Sequence, residues 1–141
     1  MSSKSELKKL LSSGGAYTVE EYYSDAEAIN SIGRIPFTDF FVAIGDEEVE
    51  FPESRPRAYC IKIGTINLLL FCKANSHELL PTTIDTIYAL IYTAKAKDIW
   101  TNMPNLLQAK VLSAEPEEGV TDKVFFVRIP VEITELIAQA P

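Results

Sequence analysis

One histidine, one tryptophan and two cysteines are all that 141 residues provide of the side chains that most often carry chemistry. That scarcity removes whole classes of function. Cys60 and Cys72 form no CxxC pair and have no histidine beside them, so neither a zinc ligand set nor a redox motif is present, and both read as buried thiols. The sequence contains no GxSxG, HExxH, GxxxxGK[ST] or GxGxxG, and Gly14-Gly15 lacks the preceding strand and following lysine that phosphate binding requires. His77, beside Glu78, is the one histidine that could serve as a general base, and it reads as an exposed or capping residue rather than a catalyst. Neither enzymatic activity nor a cofactor is expected.

Positive charge is also short: 13 Lys and Arg stand against 20 Asp and Glu, for a net charge of −7. Such a chain does not capture nucleic acid or anionic lipid through its overall field, because both require Lys and Arg to displace counterions. Long apolar runs are missing, so no membrane span is expected, and no apolar segment follows Lys4, Lys8 and Lys9 to make a secretory leader. The chain is therefore expected to be made in a reducing cytoplasm. With 47% hydrophobic residues, ordinary glycine and proline and no internal repeat, it reads as one globular domain, long enough to bury roughly 68% of its unfolded surface.

What is present centres on residues 57–95. Ile61, Ile63, Ile66 and the run Leu68 to Cys72 read as a strand covered on both faces. Ile84, Ile87, Tyr88 and Ile91 follow at the i, i+3, i+4, i+7 spacing of one helical stripe. Gly64 inside the strand reads as a bulge rather than a hairpin corner. The helix start is left between His77 and Thr82, and its end is expected at 94–97.

Before this unit, residues 1–15 read as a flexible or short helical arm, able to pack on a partner and ended by Ser12-Ser13-Gly14-Gly15. Thr18 and Glu21 match a capping box that opens a helix to Ile32, with Gly33 as its C-cap. Phe37 to Ile44 read as a strand that stops at Gly45-Asp46, with a second short strand at 49–51 across an acidic turn, and Pro52 and Pro56 bar the ladder from continuing. After the helix, 98–107 is an irregular link, 108–115 a strand, 116–119 a turn and 122–134 the last strand. In that strand Phe125, Val127, Ile129, Val131 and Ile133 share one face, and Pro130 points to an edge or bulge. Ile87 and Phe125 are expected to meet between helix and sheet. The fold class is α+β: a single domain over 16–134, a mainly antiparallel mixed sheet with one major helix packed on it and an additional N-terminal helix, followed by a tail at 135–141.

Candidate interface residues are Asp46, Glu47, Glu48 and Glu50, with Glu53 beside them, and Arg55, Arg57 and Trp100. Each has two readings. The acidic cluster, like Glu115, Glu117 and Glu118, is a solvated loop or a binding surface. Arg55 and Arg57 pair within the chain or with another copy, and Trp100 is a lid on its own core or an interface anchor.

Three stretches carry a resemblance: PFTDFFVAIGDEEVE, INLLLFCKANSHELLPTTIDTIYALIY and KVFFVRIPVEIT. In order and layout, over residues 18–134, the chain resembles the tail terminator family of long-tailed bacteriophages, the minor tail protein U-like group. Its aromatic-rich N-terminal segment and the tail after Thr134 exceed a minimal member. The resemblance implies a structural virion protein without cofactor, a subunit of a hexameric ring. Such a ring caps the tail tube and meets a tube protein on one side and a neck or head-completion protein on the other. DNA would pass through its lumen without sequence-specific binding, and no membrane is involved. Another head-tail joining or tail-completion protein, or a cytoplasmic adaptor domain, is the alternative.

Overall fold

Three strands of fifteen residues each frame the molecule, whose computed structural model describes residues 3–12, 17–54, 59–96 and 106–138. The elements are α1 (Ser3–Ser12), β1 (Thr18–Glu21), α2 (Asp25–Ser31), a 3-10 turn (Ile32–Arg34), β2 (Phe40–Ser54), β3 (Tyr59–Lys73), a second 3-10 turn (Ala74–Leu79), α3 (Leu80–Ala96), β4 (Leu106–Val111), β5 (Glu118–Gly119) and β6 (Val124–Ala138). The sheet order is β1-β2-β3-β6-β4, with β5 also on β6. Only β1 and β2 run parallel, with α2 as the crossover that parallel neighbours need. The result is the mixed α+β domain that the patterning implies.

Alternation along β2, β3 and β6 divides the apolar side chains between two cores. Phe40, Val42, Ile44, Ile66, Leu68, Leu70, Val127, Ile129, Val131 and Ile133 turn toward α1 and α3, where Leu7, Leu10, Leu11, Ile87 and Ile91 meet them. Phe41, Ala43, Leu69, Phe71 and Phe126 turn the other way, onto Ala28 and Ile32 of α2 and its 3-10 extension. The N-terminal arm is thus part of the core, because Leu7, Leu10 and Leu11 follow the i, i+3, i+4 spacing and bury completely or nearly so. Phe125 is only half-buried, its ring 5.2 Å from that of His77 at the end of the sheet.

Several boundaries differ from those expected of the sequence. Residues 18–21 form β1 instead of opening a helix, since Val19 is buried against the sheet opposite Val42. The cap lies a turn later: Ser24 Oγ accepts from the Glu27 N–H at 3.1 Å, and Glu27 Oε1 accepts from the Tyr23 N–H at 3.2 Å. Gly33 lies within the 3-10 turn rather than at a left-handed cap. Gly64 is a regular ladder position opposite Val49 and Ile133, neither bulge nor corner. The bulges are on β2, where Gly45-Asp46 and Phe51-Pro52 each set two residues against one of β3. Pro52 falls in the second, which lets the ladder run on to Ser54; Pro56 lies outside the described residues.

At the other end β4 stops at Val111, and the final turn lies at 120–123, where Val120 and Thr121 both donate to the Val124 carbonyl. Pro130 sits in an interior strand. Its carbonyl accepts from Leu112 N–H at 2.9 Å, so its nitrogen faces the same flank, just where β4 ends. The missing donor is therefore not required by β3, and Asn67↔Pro130 is a non-hydrogen-bonded pair within an unbroken ladder. Residues 135–138, assigned to a tail, continue β6 against β3.

Tyr17 packs on the α1/α3 core with its hydroxyl buried and, among the described residues, without a hydrogen-bond partner. Burial pushes its pKa from 10.0 up to about 12. The neutral phenol is favoured in the fold, so stability present below pH 10.0 is lost as pH rises through about 12, where the unfolded chain ionises more readily. Tyr17→Phe should raise stability by about 1 kcal/mol at pH 7, by removing an unsatisfied buried group, and flatten the alkaline loss. Urea midpoints at pH 7 and above pH 10 check this; a lower midpoint at pH 7 would show that the hydroxyl has a partner.

Candidate functional site

The acidic stretch expected to be a loop is the second half of β2, and that changes what its carboxylates do. Glu47, Glu48 and Glu50 pair with Ile66, Thr65 and Ile63 of β3 and are exposed. β1 covers β2 only over Phe41–Ile44, so among the described residues the outer edge beyond Ile44 has no strand beside it. Open edges invite pairing with other chains, and charges, bulges and proline blunt them. This edge has all three.

Asp46 belongs to a different environment. Its backbone N–H donates to Asp25 Oδ1 at 2.8 Å, while its own Oδ1 accepts from the Asp25 N–H at 3.4 Å. Asp25 is 7% exposed, and its Oδ2 also takes Asn67 Nδ2 at 3.0 Å and Arg128 Nε at 2.9 Å. Arg128 lies over the Phe126 ring and comes within 3.8 Å of Glu115 and 3.9 Å of Glu118. Four elements, α2, β2, β3 and β6, are thus tied through one buried carboxylate. A buried charge is tolerated when it is paired and its lone pairs are filled, as they are here. The first β2 bulge makes this possible, because a Cβ on Gly45 would lie 2.0 Å from Asp25 Oδ1.

Arg55, Arg57 and Trp100 lie outside the described residues. His77 is exposed in the turn before α3, its Nε2 2.8 Å from Glu117 Oε1. Cys72 is fully buried, and burial together with Glu117 and Asp39 holds its thiol up at about 11, so it stays protonated and unreactive at neutral pH. No group of three or more potential metal ligands occurs among the described residues.

Sequence patterning missed two surfaces. The first is the α2-side face of the sheet beyond the helix, in the rows Glu48–Thr65–Glu132–Lys110 and Glu50–Ile63–Thr134–Gln108, followed by Ile61–Leu136. Directly opposed residues share a face, and the buried α2 cluster includes none of these side chains. Ile61, Ile63 and Leu136 are left half-exposed there. The second is an open trough of about 500 Å3 on the other side, lined by Leu80, Pro81, Ile84, Tyr88, Ala114 and Val127. Asp85, Glu115 and Glu117 also line it. Period-2 alternation in 124–136 does mark both faces of β6, but which stretch a seven-residue helix covers is a tertiary fact that no local pattern contains.

No protein-family model matches this sequence, and no curated protein does. No helix among the described residues is long and apolar enough to cross a membrane. Among the described residues the molecule presents three surfaces: a guarded acidic edge, a sheet face beyond α2 with three partly buried apolar side chains, and a trough with carboxylates.

Proposed function

We propose that the chain is a structural subunit of a bacteriophage tail, a copy in a ring of the tail terminator kind that ends the tail tube and meets the neck. The reading rests on the resemblance and on one observation, the sheet face beyond α2, where Ile61, Ile63 and Leu136 are only partly buried among the described residues. Strands commonly run about 3 to 10 residues, and β2, β3 and β6 each run 15, so the sheet extends past the helix that covers this side. A partly buried apolar face on an extended sheet suits contact with another copy, and head-to-tail contacts make a ring where the rotation between copies closes. Glu47, Glu48 and Glu50 on the open edge suit a wall past which a polyanion slides without sticking. Virion localisation belongs to the same proposal.

Electron microscopy of the purified protein, alone and with tail tubes, tests it. Closed rings are expected, and Ile63→Lys should abolish them while leaving a folded monomer by circular dichroism. Lys at Glu47, Glu48 and Glu50 together should leave rings that retain DNA at low salt and release it as salt rises. A wild-type protein that stays monomeric both alone and on tubes would overturn the reading.

A further inference from the structure

The trough beside α3 is formed because the chain between β4 and β5 does not complete a ladder. After Val111, Leu112 and Glu115 each donate one backbone bond to β6, at Pro130 and Arg128, and Pro116 supplies no donor. This segment forms one wall, through Ala114, Glu115, Pro116 and Glu117, while Leu80, Pro81, Ile84, Asp85 and Tyr88 of α3 form the other and Val127 the floor. The floor and inner walls are apolar. The charged side chains lining it are all acidic, with Asp85 on the helix wall and Glu115 and Glu117 on the strand wall.

We propose that this trough docks a cationic peptide segment of another protein, one large apolar side chain seated on Val127 between Ile84 and Tyr88, with Lys or Arg on either side of it. Asp85 on the helix wall and Glu117 on the strand wall favour a segment charged on both flanks of its anchor, while the Glu115 carboxylate leans toward Arg128 on the other face of the sheet. Glu117 already meets His77, and Glu115 lies 3.8 Å from Arg128, whereas Asp85 has no cation within ion-pair distance among the described residues. Asp85 is thus the carboxylate most available to an incoming cation. An open trough encloses too little of a small molecule to hold it, since such ligands typically bury about 70 to 90% of their surface, but it suits a side chain projecting from a peptide. The surface lies on the opposite side of the sheet from Ile61, Ile63 and Leu136, so the proposal does not depend on the ring reading.

Fluorescence anisotropy with three labelled peptides tests it: acetyl-KKLWLKK-amide, acetyl-KKGSGKK-amide with the same charge and no anchor, and acetyl-EELWLEE-amide with the anchor and opposite charge. Only the first should bind, the others about tenfold or more weaker, because neither charge nor apolar burial suffices alone. Ala114→Trp, which fills the trough, should weaken binding about tenfold, and the exposed Asp85→Lys by a lesser factor without touching the fold. Gln at Glu47, Glu48 and Glu50 together, on the β2 edge, should leave affinity unchanged. Equal binding of the peptide without an anchor, or an equal loss in the Gln variant, would show that the overall negative field is responsible and overturn the proposal. So would an Ala114→Trp protein that loses self-association in sedimentation, since the trough would then belong to a contact between copies.

Discussion

Gly45→Ala is expected to destabilise the fold by about 2 to 4 kcal/mol, far more than one methyl group ordinarily costs on a strand. The added Cβ would lie 2.0 Å from Asp25 Oδ1 and 3.1 Å from its Cγ, so the carboxylate must leave. Its departure strands the Asp46 N–H, the Asn67 amide and the Arg128 guanidinium, which is 21% exposed and has only the more distant Glu115 and Glu118 for compensation. Asp25→Ala should cost a similar amount by the same route. A double-mutant cycle separates this account from a general intolerance of side chains at the bulge. With Asp25 already removed, Gly45→Ala should add only the strain against Leu69 Cδ1, which the added Cβ would meet at 3.0 Å, and the two losses should fall short of additivity by about 2 kcal/mol. Urea melts of the four proteins measure it. Additive losses would mean that the glycine is needed for backbone conformation and not for the carboxylate.

This network explains why part of the architecture was legible in the residues and part was not. Apolar periodicity located β3, α3 and β6, and it put Phe125, Val127, Ile129, Val131 and Ile133 on the one face of β6 that packs on the larger core. Those signals are strong because each side chain reports the burial of its own position. The acidic stretch failed for the opposite reason. Four carboxylates in five residues read as a loop when charge is taken to mean solvent on all sides, whereas an edge strand meets solvent along one whole flank and uses charge to keep it free. Gly45 reads as the end of the strand because a glycine beside an aspartate marks turns, but here it admits Asp25, which is 20 positions earlier in sequence and invisible to any local pattern. Residues 18–21 failed by ambiguity. Thr-Val-Glu-Glu satisfies a capping box as written, and the choice of strand depends on Val19 finding Val42 beside it. Of the candidate interface residues, Glu47, Glu48 and Glu50 are exposed together, while Asp46 is tied into the buried network.

Ile87→Ala is the second large effect, expected to cost about 2 to 5 kcal/mol because the deleted carbons leave a cavity between α3 and the sheet. Ile87 is fully buried among Leu, Ile and Val side chains of the larger core, and Ile91, one turn on, is buried as completely. Alanine is the better helix former by a few tenths of a kcal/mol at most, too little to offset the cavity. The neighbouring Thr86 provides the control, since it is exposed on the other face and its hydroxyl only bonds back to the Thr82 carbonyl at 3.0 Å. Thr86→Ala should therefore be neutral or slightly stabilising, as a hydroxyl that competes within the helix is removed and propensity improves. Ile87→Val should fall between, at about 0.5 to 1.5 kcal/mol. The ordering of the three, read from chemical denaturation with a constant slope, tests the orientation of α3 itself. A loss below about 1 kcal/mol for Ile87→Ala, or a larger loss for Thr86→Ala, would place the opposite face of the helix against the sheet.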